Sequence, residues 1–219
     1  PVASGTAASG DTSAIADQLT EDSEYEAYIT TNCGADGFSD QSAAVAFVTP
    51  CNIFTAPYFN DFETLTDASS DCWLEDSLGT YQWEVSTDDT TSANTGPNQA
   101  LSGTNFVFTE ATSGAQGDEA LFLSPLVDLS NLTDPALSFW IHMHGDDMGT
   151  LNVDIDAGSG FDLAVFSISG QQQPNQDDPW IEQFVDLSAY AGQTVQFRFR
   201  GVRGDGFTGD IAIDDVNVD

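Results

Sequence analysis

Lysine is absent from this 219-residue chain, and only three arginines (Arg198, Arg200 and Arg203) stand against 36 acids. The formal charge of −33 repels phosphate backbones and anionic lipid, which excludes nucleic acid and anionic membrane surfaces as partners. Sulfated or uronic polysaccharides are excluded too, unless a divalent cation mediates. Charged residues nevertheless amount to only 18%, below the usual quarter or so. The chain is one-signed rather than crowded with charge. Self-repulsion of this kind suits a salty or calcium-rich medium, where screening is strong. Adaptation to brine or seawater accounts for part of it.

Other absences narrow the class further. No stretch approaches the ~20 apolar residues of a membrane span. The chain opens in mid-pattern with no basic, apolar leader, so any leader is expected upstream. Three cysteines, Cys33, Cys51 and Cys72, lack metal-ligand spacing. With scarce basic residues and abundant Asn, Thr, Gly and Asp, they point to an extracellular chain with one disulfide and one thiol left over. Catalytic signatures are missing: AGSG at 157–160 lacks the nucleophile-elbow pattern. No metalloprotease, phosphate-loop or dinucleotide motif occurs. Among so many acids, a pair of carboxylates at glycosidase spacing is expected by chance. No enzyme activity is expected.

Helical periodicity is almost absent as well, and short alternating runs dominate. LSFWIHMH (137–144) puts Leu137, Phe139, Ile141 and Met143 on one face and Trp140, His142 and His144 on the other. LNVDID (151–156) and TVQFRFR (194–200) alternate in the same way, showing Asp154, Arg198 and Arg200. Further strands are predicted at 25–31, 43–48, 58–64, 105–109, 120–124, 161–168, 180–186 and 210–218. About ten strands without a helix imply an all-β sandwich. VTPCNIFTAPYF, with two prolines and no period, marks a seam near residue 50. The predicted domains are 1–50 and 51–219.

In the closing stretch GDGFTGDIAIDDVNVD (204–219), Ile211 and Ile213 share one face, but Val216 and Val218 have the opposite parity. The switch falls at Asp214-Asp215. A bulge there would restore a single apolar face, leaving two carboxylates that either face water or hold a cation.

Two resemblances sharpen this reading. LTEDSEYEAYITTNCG, with Leu19 six residues before Tyr25, resembles the tyrosine corner of fibronectin type III domains, although Glu21 replaces the usual proline. SDQSAAVAFVTPC is then similar to that domain's final strand. Residues 1–50 would be the C-terminal half of such an immunoglobulin-like sandwich, with an uncovered face. Either the chain is cut from a longer one, the favoured reading, or a neighbour supplies the missing strands. The rest resembles the MAM family of jelly-roll adhesion domains. The matching residues are DFE (61–63), CW (72–73), Trp83, GP (96–97), ALFLSP (120–125), LSFWIHMHG (137–145) and GDIAIDD (209–215). Bacterial cleaved-adhesin jelly rolls are similar at DFE and at the last strand. The expected fold is an antiparallel jelly-roll β-sandwich preceded by a partial fibronectin type III-like sandwich.

The MAM resemblance implies a calcium ion between the first and last strands. Candidate ligands are Asp61, Glu63, Asp118, Asp210, Asp214 and Asp215, with Asp61 and Glu63 on one face of an alternating strand. The family's Asp after GP is replaced by Asn98-Gln99-Ala100, which weakens that loop as a ligand source. A Cys51–Cys72 bridge is implied, with Cys33–Cys51 as its competitor. His142 and His144 share a strand face but do not complete a zinc set. If their strands are neighbours, Trp140, His142, His144, Asp154, Arg198 and Arg200 form an aromatic and polar surface able to bind sugar. NLT (131–133) is a glycosylation sequon in a eukaryotic secretory path.

Three functions follow, in order: a calcium-stabilised, non-catalytic adhesion module of a larger secreted or cell-surface protein, binding an extracellular protein or glycan; a carbohydrate-binding module of a secreted hydrolase; and a subunit that self-associates as a neighbouring copy completes residues 1–50.

Overall fold

The computed structural model describes residues 5–8, 11, 13, 15–21 and 23–219. They form two compact units, divided between Asn52 and Ile53. The strands are β1 (Glu24–Ala27), β2 (Val45–Val48), β3 (Phe54–Thr55), β4 (Tyr58–Asn60), β5 (Leu74–Glu75), β6 (Trp83–Ser86), β7 (Phe106–Thr109) and β8 (Glu119–Leu123). They continue with β9 (Val127–Asp128), β10 (Ala136–His142), β11 (Thr150–Asp156), β12 (Phe161–Ser169), β13 (Ile181–Asp186), β14 (Thr194–Val202) and β15 (Ala212–Val218). Among the described residues the only helical pieces are short 3₁₀ turns at Gly34–Asp36 and Ser188–Tyr190, and no helix is long and apolar enough to cross a membrane.

The first unit is a two-stranded antiparallel sheet, β1 against β2, with Tyr25 opposite Phe47. Their rings stack at 5.9 Å. The Thr20 amide donates to the Tyr25 hydroxyl at 2.8 Å, the hydrogen bond of a tyrosine corner. A second sheet is not present among the described residues of this unit, so Tyr28, Ile29, Val45 and Val48 remain exposed.

The second unit is the jelly-roll sandwich. One sheet runs β13-β10-β15-β7-β6, with β4 also pairing with β15. The first full strand of the unit thus lies beside the last, Tyr58 opposite Val218. The other sheet runs β12-β11-β14-β8-β5, extended by β9 and β3. The alternation read from β10, β11 and β14 delivers Leu137, Phe139, Ile141, Leu151, Val153, Ile155, Val195, Phe197 and Phe199 to the space between the sheets, all at 0% exposure. Aromatic rings dominate this core: Trp73 stacks on Phe122 at 4.6 Å and meets Phe62 edge-on at 5.3 Å, an arrangement favoured by the ring quadrupoles.

The parity puzzle of the last strand resolves as a bulge. Ser138 pairs with Asn217 and Trp140 with Asp214, so β15 spends three residues where β10 spends two. Asp215 takes a left-handed φ of 46° to allow it, as bulged residues do. Ile211, Ile213, Val216 and Val218 then all join one core at 0% exposure. One expectation needs correcting: the strand predicted at 58–64 stops at Asn60. Phe62 has φ 59°, turning the chain so that Asp61 and Glu63 do not lie on an alternating strand.

Candidate functional site

Three of the six acids expected to share an ion converge on one short loop, residues 101–105. Asp214 accepts from the Leu101 amide at 2.9 Å, and Asp215 accepts from the Ser102 hydroxyl at 2.8 Å. From the other side Glu63 accepts from the amides of Thr104 at 2.7 Å and Asn105 at 2.6 Å. Gly103 (φ 57°) is required there, because a Cβ would lie 2.3 Å from the Glu63 carboxyl carbon. The Asn105 and Thr104 amides hold Glu63 below the ordinary carboxylate value. Burial pushes Asp214 up to about 7, with the neighbouring Asp215 charge adding to the shift against the amides that favour ionisation.

The remaining three acids lie elsewhere. Asp61 accepts from the Glu63 amide, and Asp118 accepts from the Ala115 amide within its own turn. Asp210 is fully buried and accepts from the Ala111 amide at 2.8 Å, while its other oxygen has no partner. Burial, with help from Glu110, raises it to about 7. A single six-carboxylate cage therefore does not form. Among the described residues no three His, Cys, Asp or Glu side chains gather as a metal cluster. The reason is spatial: the bulge aims Asp214 and Asp215 at the 101–105 loop, whereas Asp210 precedes β15 and faces Ala111.

The expected aromatic and polar surface also divides. Trp140 and His142 lie on β10 of one sheet, but Asp154, Arg198 and Arg200 lie on β11 and β14 of the other. Asp154, at 0% exposure, receives Arg198 Nε and Arg200 Nε on one oxygen at 2.8 Å each. Its other oxygen accepts from the Ala164 amide at 2.7 Å. Burial alone would raise Asp154; the hydrogen bonds from Arg200, Ala164 and Arg198 hold it below the ordinary value. Arg200 reaches on to Glu119, and Arg198 lies 4.1 Å over the Phe161 ring. These arginines are engaged within the chain. His142 is buried at 0% exposure rather than displayed, and burial lowers it to about 4. His144 pairs its Nδ1 with the Gln173 carbonyl at 3.0 Å.

Residues 60–219 match the family model described as MAM domain, meprin/A5/mu. The chain belongs to the MAM family. Neuropilin-1a of Danio rerio is 31% identical over 84% of this chain and 20% of its own length. The human MAM domain-containing glycosylphosphatidylinositol anchor protein 1 is 36% identical over 58% of this chain and 13% of its own length. The chain thus spans a fifth or less of these relatives. Among solved structures, the K1 cleaved adhesin domain of Lys-gingipain from Porphyromonas gingivalis aligns with a TM-score of 0.53. It covers 74% of this chain and 96% of that one at 18% identity, a likeness of fold.

Within this MAM domain the structure adds a feature that strand parity did not reveal. A cleft of about 340 Å³ opens over Trp140 between residues 97–101 and 176–180, with Trp180 in its wall. The composition of QQQPNQDDPW (171–180) was the only available signal, a tryptophan after a polar, proline-containing loop. Cys33 is a free, exposed thiol, so the alternative Cys33–Cys51 pairing does not form.

Proposed function

We propose that this chain is a non-catalytic interaction module of a larger secreted or cell-surface protein, stabilised by calcium at the 101–105 corner. Membership of the MAM family over residues 60–219 carries the reading, joined to the modular share it takes of relatives such as a glycosylphosphatidylinositol anchor protein. The jelly roll supplies a rigid platform, and its loops and outer faces meet the partner. Calcium takes 6–8 oxygens, carbonyls and waters among them. Glu63, Asp214 and Asp215 border the same loop without being gathered around one point, so binding would draw these carboxylates toward a common ion, with loop carbonyls and water completing the shell. A cation there would offset the mutual repulsion of these acids and tie the last strand to the loop.

Thermal unfolding in EDTA, then in calcium or magnesium at fixed ionic strength, tests the ion. A ligand bound only by the folded state raises the midpoint with its concentration. The expected result is a calcium-specific rise of several degrees that Asp215→Asn and Glu63→Gln remove. A response to ionic strength alone would reduce these acids to acceptors for the loop amides. For the interaction itself, fluorescent tetramers of the chain should bind cells or extracellular matrix saturably and be displaced by untagged chain. Absence of saturable binding would count against the module reading.

A further inference from the structure

We infer that the cleft over Trp140 binds a neutral sugar unit of a glycan, which names a ligand class for the module proposed above and rests on that reading. The outer face of the sheet carries a second apolar cluster, separate from the main core: Phe106, Phe108, Trp180 and Ala212, with Ala100, Leu101 and Trp140 packed against it. Outer faces of antiparallel sheets ordinarily show polar side chains to water. Here half-buried Trp140 lines an opening of about 340 Å³, within the roughly 300–1,000 Å³ of small-molecule sites, and Trp180, 8% exposed and packed against Phe106, backs its wall.

The walls are fixed before any ligand arrives. Trp180 Nε1 donates to the Gln99 carbonyl at 3.2 Å, and Asn98 Nδ2 donates to Asp177 at 2.5 Å. Gln176 Nε2 donates to the Thr95 carbonyl at 2.9 Å, and its own oxygen accepts from the Asn94 amide at 3.2 Å. These bonds join two loops about eighty residues apart in the chain. Such preorganisation lowers the ordering cost of binding.

The lining chooses the chemistry. The Trp140 indole carries negative π density on its face that attracts the polarised C–H groups on one face of a pyranose. Asn98, Gln99 and Gln176 amides donate to and accept from hydroxyls, and the Asp177 carboxylate accepts from them. No arginine lines the cleft; Arg198 and Arg200 are engaged with Asp154 on the other sheet. An uronic, sialic or sulfated unit would meet Asp177 and Asp178 without a counter-charge. An organic ammonium could use the rings and acids but would leave the amide rim without a role.

The test titrates the whole chain with methyl glucoside, galactoside and mannoside, their disaccharides, glucuronate and choline, following tryptophan fluorescence and calorimetry. Saturable quenching by at least one neutral sugar at millimolar concentration or below is expected, with no response to glucuronate. Trp140→Ala should weaken that binding about tenfold or more, as an aromatic anchor does, and Asp177→Ala should weaken it too. Leu163→Ala, 64% exposed on β12, should change nothing. Melting curves of each variant establish that it is folded. Binding only of choline or glucuronate, binding indifferent to Trp140→Ala in a folded variant, or no binding by any neutral sugar overturns the inference. If tetramers still bind cells while the sugars fail, the glycan assignment falls and the module reading stands; loss of both removes the reading itself.

Discussion

In the jelly roll, Phe62, Phe122, Phe139, Phe197 and Phe199 are all at 0% exposure, whereas in the first unit Phe38 is 70% exposed and Phe47 39%. Both regions use alternating strands. They differ in what lies opposite the apolar side: the jelly roll packs one sheet on another, while the described residues of the first unit have β1 and β2 alone. A two-stranded sheet is marginal in water without a third strand or a packing partner. Alternation thus encodes a face that wants covering; it does not encode the cover.

The sharpest way to break the comparison is to remove an aromatic side chain from each unit. Trp73 is 2% exposed and touches Phe62, Phe122, Phe197 and Phe199. Trp73→Ala should cost about 3–5 kcal/mol through lost transfer energy and cavity formation, lowering the melting midpoint by on the order of 10 °C. Phe47→Ala should leave that main transition within about 0.5 kcal/mol, the range of surface changes. Scanning calorimetry of both variants decides the point. An equal shift from Phe47 would mean that the first unit is packed as tightly as the second.

Much of the jelly roll was legible because period two survives wherever one strand face is buried. Leu137, Phe139, Val153 and Phe199 went where their parity sent them. The bulge was legible too, since Ile213 and Val216 cannot otherwise share a core. Parity is silent about which sheet a strand joins, and that silence joined Trp140 to Asp154 and Arg200 in one imagined surface. Two-residue strands such as β3, β5 and β9 are too short to carry a period. The acids were the hardest to place, because 36 of them give any sequence pattern a chance match. Only the fold separates Asp210, facing Ala111, from Asp214, facing Leu101. The cleft was invisible for a related reason: its walls come from distant loops, and loops have no period.

Those two buried acids give the second contrast. Burial raises Asp210 and Asp214 to about 7, against about 3.9 in an unfolded chain. Between those values the folded jelly roll binds more protons than the unfolded chain, so their contribution is present at low pH and is lost as pH rises through 7. His142 opposes them: lowered to about 4 by burial, it destabilises the fold as pH drops below its ordinary value of about 6.5. Two carboxyls outweigh one imidazole near neutrality. In EDTA the midpoint should be higher at pH 6 than at pH 8, and Asp210→Asn with Asp214→Asn should flatten that slope. The slope should persist after removal of residues 1–50, since its groups lie in the second unit. Its disappearance in the shortened chain would move its origin to the first unit.

The smallest expected effect compares one hydroxyl in each unit. Tyr25 accepts from the Thr20 amide in a region open to water, so in Tyr25→Phe a water replaces the hydroxyl as partner. The change should be about 1 kcal/mol or less and confined to the first unit. Tyr81, fully buried, bonds the Thr109 hydroxyl at 2.9 Å, and Thr109 Oγ1 in turn accepts from the Ile211 amide at 3.2 Å. In Tyr81→Phe no water reaches the site, and the penalty of about 1–3 kcal/mol for a weakened buried network falls on the main transition. Amide exchange separates the two outcomes without a resolved second melting step. Tyr25→Phe should speed exchange at Thr20 and across β1 and β2 while the β10 and β15 amides keep their protection; Tyr81→Phe should speed exchange in the jelly roll and leave β1 and β2 as they were. Crossed effects would mean that the two units unfold as one, and that the contrast in burial is not a contrast in stability.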